Sequence, residues 1–263
     1  NGGNIYLYAT RSNATKGSGA SMTMENATIS NGTATLGGNI YIERGLFQAE
    51  DDSYTNTPAT MTMNGGTIQG GWATGIKNDG GGNIYLRGQF TMNGGTVKEG
   101  TAGTVSMMTG RGGNIFVYRC EDGNGGTAGK VVVNAGSILD GKATDRGGNI
   151  MLDHADMEVG TGLITITGGH KVTLNEDGTV NTTGGLTNIA VYGSSSKHFI
   201  RVVGVLNAES RIGLSSSNNG KVVEITADTL QAEAVYTSVF ALDVSNKKLT
   251  LDTTNKILSY VNK

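Results

Sequence analysis

The chain is short of almost everything that announces a function. It has one cysteine, Cys120, in 263 residues, so no intrachain disulfide can form. No positioned base stands near it in sequence, and it reads as a lone loop thiol. There is one proline, Pro58, which excludes collagen with its abundant Pro and three-residue Gly period. Charged residues make up 16% and the formal net charge is −2. Such a surface offers no electrostatic footprint for nucleic acid. No apolar run approaches the roughly 20 residues needed to span a bilayer, so no membrane insertion by this segment is expected. No segment shows the 3.6-residue apolar period of an intervening helix, which argues against a βαβ stack or a leucine-rich horseshoe. His154, His170 and His198 are scattered and have no Cys partners for a zinc motif. No Gly-x-Ser-x-Gly element and no phosphate loop with its Lys is present. No cofactor, no metal and no catalytic set is therefore expected.

What is plentiful is Gly, 43 residues, and much of it recurs in a fixed context. Gly2-Gly3-Asn4-Ile5-Tyr6 returns as Gly37-Gly38-Asn39-Ile40-Tyr41 and as Gly81-Gly82-Asn83-Ile84-Tyr85. It returns again as Gly112-Gly113-Asn114-Ile115-Phe116 and Gly147-Gly148-Asn149-Ile150-Met151, with a worn copy at Thr187-Asn188-Ile189-Ala190. The Asn residues are 35, 44, 31, 35 and 39 positions apart. Self-similarity at this period marks a stack of like units. Each unit carries a second signature, as in Thr60-Met61-Thr62-Met63-Asn64-Gly65-Gly66-Thr67-Ile68. Its apolar/polar alternation is that of a half-buried strand, and Asn-Gly-Gly supplies a turn. Ile164-Thr165-Ile166-Thr167-Gly168-Gly169 reads as the fifth copy of this signature, with Val172 in the strand after it.

Three short strands and three corners per unit describe an all-β parallel β-helix. Like strands of successive coils pair at about 4.8 Å, so equivalent residues form columns. The inward column of the first strand holds twelve aliphatic residues, from Ile5 and Leu7 to Ile189 and Val191. Met22, Met24, Met61, Met63 and Met92 fall on the inward side of the second strand and read as core filling. The Asn column suits an amide ladder of the cross-β kind. Residues 1–195 form the repeat region. Residues 196–263, where Gly thins out and segments such as Val235–Asp243 still read as strands, form terminal coils and a C-terminal β cap. The chain starts inside a repeat and without Met; it reads as a piece of a longer protein that continues into further domains.

These paired elements resemble the repeats of large bacterial surface proteins, among them adhesin-like proteins of gut Gram-positive bacteria. They are similar also to the repeats of polymorphic outer-membrane autotransporters, within the right-handed parallel β-helix superfamily that includes pectate lyases. The resemblance covers about residues 1 to 192. It implies a right-handed solenoid and an extracellular or cell-surface location. It leaves function open, because one fold hosts lyases, hydrolases and adhesins.

Two outward columns on the first strand are the candidate binding surface. One is Tyr6, Tyr41, Tyr85, Phe116, Met151 and Ala190; the next is Tyr8, Glu43, Arg87, Tyr118, Asp153 and Tyr192. An exposed tyrosine strip suits stacking on sugar rings or on a host surface protein. Glu43 and Asp153 lie three coils apart, roughly 14 Å at strand spacing, beyond the 5–10 Å or so of a glycosidase pair. Asp153, His154, Asp156 and Glu158 read as one acidic loop without calcium-loop spacing. Variable loops leave the same corner at about 9–20, 45–58, 119–130, 153–162 and 193–198, carrying Glu50, Asp51, Asp52, Tyr54, Glu121 and Asp122. Thr23, Thr62, Thr91 and Thr165 make one Thr column, broken by Val132. Thr28, Thr67, Thr96 and Ser137 make another. Both read as exposed strand positions that Thr favours. The expectation is a non-catalytic adhesin or stalk module that binds a glycan or host protein. A polysaccharide lyase or hydrolase, and a pure spacer, are the alternatives.

Overall fold

The computed structural model describes residues 1–9, 19–45, 47–48, 54–55, 57–75, 80–106, 108–118, 129–193, 200–217 and 221–263. It is a right-handed parallel β-helix. The first face stacks Ile5–Leu7, Ile40–Ile42, Ile84–Leu86, Ile115–Val117, Ile150–Asp153 and Ile189–Tyr192, all parallel and in register. The second stacks Ser21–Met24, Thr60–Met63, Gln89–Met92, Lys130–Val133, Asp156–Val159, Ile200–Val202 and Lys221–Ile225. The third stacks Thr28–Ser30, Thr67–Gln69, Thr96–Lys98, Gly136–Leu139 and Ile164–Thr167. Strand Arg211–Ser217 pairs with Ile164–Thr167 and with Ile189–Tyr192, which joins the third and first faces into one sheet.

Inside, the expected aliphatic columns meet. Leu7 and every inward residue from Ile40 to Val191 on the first face are buried, and Ile5 packs against them. Met24, Met61, Met63, Phe90 and Met92 fill the second face. Flexible thioethers suit the space beside the Asn-Gly corners: a Cβ on Gly95 would collide with the Met63 terminal methyl.

The corner before the first face is built on Asn. Asn4 Nδ2 donates to Asn39 Oδ1 at 2.7 Å, and the chain of amides runs on through Asn83, Asn114 and Asn149 to Asn188 at 2.7 to 2.9 Å. The second N–H of each amide, from Asn4 to Asn149, goes to the carbonyl that ends a third-face strand, as from Asn83 to Lys98 O at 2.8 Å. Each Oδ1 from Asn39 onward accepts a second bond from a glycine N–H, as from Gly71 to Asn83 at 2.9 Å. Asn39, Asn83, Asn114 and Asn149 are fully buried with their bonding capacity spent. The glycines make this approach possible. Gly81 sits at φ 71°, and a Cβ on Gly82 would run into the Gly113 carbonyl and the Thr101 amide.

Three features depart from the sequence reading. Each coil adds a fourth, two-residue pairing: Thr33–Ala34, Trp72–Ala73, Thr101–Ala102 and Lys142–Ala143 stack in parallel on His170–Leu174. The fifth coil is shifted by one face. Asp156–Val159 takes the second-face place expected for Ile164–Thr167, and Ile164–Thr167 takes the third. Gly168 explains the slip: with Asn31, Gly70, Glu99 and Asp140 it belongs to a row of left-handed turn residues after the third face, not to the Asn-Gly corner. Val172 then starts no third strand. It lies in a hairpin, His170–Leu174 with Val180–Leu186, whose turn residue Gly178 seats on the Trp72 ring. Lastly, the expected strand Val235–Asp243 is a helix, Glu233–Val239, followed by strand Phe240–Leu242. Tyr236 and Val239, three residues apart, share its buried side.

The C-terminal end is closed. Hairpin Lys247–Asp252 with Ile257–Asn262 lies antiparallel on Lys221–Ile225, covering an edge that would otherwise pair with other chains. Asp243 takes the last ladder amide, Asn188 Nδ2, at 2.7 Å.

Replacing a mid-ladder amide orphans four buried partners at once. Asn83→Ala is expected to lower unfolding stability by roughly 3–5 kcal/mol, and Asn134→Ala, in an exposed ladder at 2.8 Å from Asn93, by less than about 1 kcal/mol. Denaturant midpoints of the two variants check this; equal losses would remove the buried ladder's special role.

Candidate functional site

Most of the expected tyrosine strip is not a surface. Tyr41 is 2% exposed, Tyr85 3% and Phe116 0%, and with Met151 and Ala190 they form a second apolar cluster. The cause is the coil spacing. Parallel strands lie about 4.8 Å apart, close to the distance at which rings stack. Tyr41 and Tyr85 are 5.1 Å apart at 15°, and Tyr85 and Phe116 5.3 Å apart at 24°. Each ring therefore covers its neighbours, while Leu36 and Tyr118 pack against the row. Only the first ring escapes: Tyr6 is 42% exposed and meets Tyr41 edge-on at 5.1 Å. Tyr41, Tyr85 and Phe116 are thus removed from the contact surface that the sequence suggested.

The next column is where polar groups gather. The Glu43 carboxylate accepts the Tyr6 hydroxyl at 3.0 Å and faces the Arg87 guanidinium at 3.4 Å. Arg87 donates to the Tyr41 hydroxyl at 3.5 Å and lies 5.6 Å from the centre of the Tyr118 ring. Arg87 therefore ties both columns together. Partial burial, and then the bond to Glu43, hold the Tyr6 phenol above the usual range. Burial does the same for Tyr41, with Arg87 opposing it. Tyr8, 51% exposed, closes this end of the face.

Toward the C-terminal end, Asp153 and His154 are buried and bonded to each other, Oδ1 to Nδ1, at 2.7 Å. The expected acidic loop at 153–162 does not exist. Asp156 and Glu158 stand on a second-face strand, paired with Arg201 at 2.6 Å and Lys130 at 2.7 Å. His154 meets the Tyr192 ring edge-on at 5.4 Å, and Tyr192 is 37% exposed. Beside that ring stand two arginines that the sequence reading passed over, Arg111 and Arg146. The signal for them was positional: both immediately precede a Gly-Gly pair, as Leu36 does, and they bridge in parallel.

Among the described residues no group of His, Cys, Asp and Glu could hold a metal ion. No helix there is long and apolar enough to cross a membrane. Glu50, Asp51, Asp52, Cys120, Glu121, Asp122 and His198 lie outside the described residues. Comparison with family models, curated proteins and solved structures gives no match.

Two outcomes follow from the stacked row. Tyr85→Ala is expected to cost about 3–5 kcal/mol as a buried aromatic deletion, and Tyr8→Ala less than about 1 kcal/mol, both read from denaturant unfolding. Because the folded phenols of Tyr6, Tyr41 and Tyr260 are raised, the unfolded chain releases these protons first. Stability is then full below about pH 10 and falls as pH rises beyond it. Tyr41→Phe should flatten that fall in melts taken between about pH 9 and 11.

Proposed function

We propose that this chain is a non-catalytic, rigid module of an extracellular bacterial surface protein, which holds a glycan or a host surface protein on its first face. The observation that carries the reading is the outward column Tyr8, Glu43, Arg87, Tyr118, Asp153 and Tyr192. Six coils hold it in register, over about 24 Å at strand spacing. Three aromatic rings and three charged groups share it; Glu43 and Asp153 are buried, while Tyr8 and Tyr192 are exposed at its two ends, a composition suited to recognition of polar, ring-bearing ligands. The amide ladder beneath keeps the backbone fixed, so little ordering entropy is spent on binding. The resemblance to surface-protein repeats supports the location.

A glycan and mucin panel probed with the whole chain tests this. Retention that weakens several-fold in Tyr8→Ala, whose exposed ring can be removed with little change in melting, is the expected result. Release of unsaturated or reducing sugars from pectins or mucins would instead establish a lyase or hydrolase. Failure to retain any glycan or host protein would leave a spacer.

A further inference from the structure

Arg111 and Arg146 form a pair unlike the other arginine of this face. Asp145 Oδ2 accepts Nε of Arg111 at 2.8 Å and Nε of Arg146 at 3.2 Å. One carboxylate thus orients two guanidiniums and balances one of them. It does so through Nε alone. Among the described residues the Nη nitrogens of both have no hydrogen-bond partner in the protein, and none of them is sealed away from solvent. Arg87, by contrast, has Nη1 engaged by Tyr41 and Glu43.

The two forks lie against one aromatic ring. The guanidinium carbons of Arg111 and Arg146 are 5.7 and 5.6 Å from the Tyr192 ring centre. The Arg146 side chain is 37% exposed and that of Arg111 12%. The nearest other carboxylate on the column, Asp153, is occupied by His154. A guanidinium fork matches the oxygens of a planar or tetrahedral oxyanion, and two forks on one ring define both where the anion sits and which body it carries.

We infer that Arg111, Arg146 and Tyr192 form a subsite for an acidic saccharide, whose carboxylate or sulfate oxygens accept from the two forks while its body meets the part of the Tyr192 ring that the arginines and His154 leave exposed. Asp145 is a positioning residue: it fixes both Nε groups and leaves the outward edges open. The inference rests on the binding role proposed above and specifies the ligand class for one end of the face. A neutral sugar gives the forks nothing to neutralise, so the subsite selects for charge.

Titration of the whole chain with sialyllactose, with a sulfated lactose and with plain lactose tests it and separates carboxylate from sulfate. At least one anionic sugar is expected to bind about tenfold or more tighter than lactose. That preference should shrink as salt rises from about 0.05 to about 0.5 M. Arg146→Gln should abolish most of it with unchanged melting temperature. Arg146→Lys should keep the salt dependence but not the affinity, because an ammonium has no fork. Tyr192→Leu should weaken the anionic sugars. Anionic sugars that bind no better than lactose, or a preference that survives Arg146→Gln, would overturn the subsite. Lactose binding lost in Tyr8→Ala without any anionic preference overturns the subsite and leaves the wider face standing; no binding of any of the three sugars overturns the subsite, and the wider face falls only if no other glycan and no host protein is retained either.

Discussion

Everything else in this molecule depends on a side-chain amide having two donors and two acceptor positions. From Asn39 to Asn149 each amide spends all four: two along the stack, one on a third-face carbonyl, one on a glycine N–H. The bonds along the stack demand identical spacing between coils. Those across it tie the end of the third face to the start of the first. A serine or aspartate has too few or the wrong groups to do this, and the amides lie so close to Gly32, Gly71, Gly100 and Gly141 that a Cβ there would come within 2.9 Å of an amide atom. The ladder also has a direction. Its donors point toward the C-terminus and end on the Asp243 carboxylate. A second, exposed ladder points the other way, from Asn134 through Asn93 and Asn64 to the Glu25 carboxylate at 2.9 Å. Each file of donors thus finishes on a charged acceptor, the strongest available partner for a last N–H.

The spacing imposed by the ladder decides what the first face can show. At that repeat, aromatic rings two residues beyond each Asn must stack, and a stacked row hides its own faces. Chemistry is displaced to the following column, where the Glu43–Arg87 pair lies between Tyr8 and Tyr118, and to the turn residues before each Gly-Gly pair. Those turn residues differ from coil to coil: Leu36 seals the aromatic row, Gly80 adds no side chain, and Arg111 and Arg146 bring charge. The frame is repetitive because the ladder forces it to be; the surface is free to vary because the ladder does not use it.

This is also why the fold was legible and the site was not. The Gly-Gly-Asn-Ile element specifies a turn, an amide ladder and a core position through residue chemistry alone, and the twelve aliphatic positions agree with it. The fifth coil was misread because Thr-Gly-Gly at 167–169 imitates the Asn-Gly corner. Strand pairing separates the two: Ile164–Thr167 lies beside Gly136–Leu139, so Gly168 follows the third face, in the row of Asn31, Gly70, Glu99 and Asp140. Around Val235 the alternation of β-branched and polar residues is a fair strand signal. Burial of Tyr236 and Val239 against the last coil overrides it. Alternation likewise told that Tyr41 and Tyr85 point away from the main core. It cannot tell that the next ring covers them, since that depends on lateral spacing rather than on sequence period.

The same limit explains the arginines. Along the chain, Arg111 and Arg146 are two ordinary charges in Gly-rich turns, 35 residues apart. The stack places them in adjacent coils on one carboxylate and one ring. Charge balance then separates the two ends of the face. At the N-terminal end Glu43 faces Arg87 one to one, through Nη1. At the C-terminal end two guanidiniums share Asp145 through Nε and keep their outer edges open. The side chain of Arg146 is 37% exposed and that of Arg111 12%, so solvent serves the groups that Asp145 leaves over, and an anion that displaces that water would meet both guanidiniums at once.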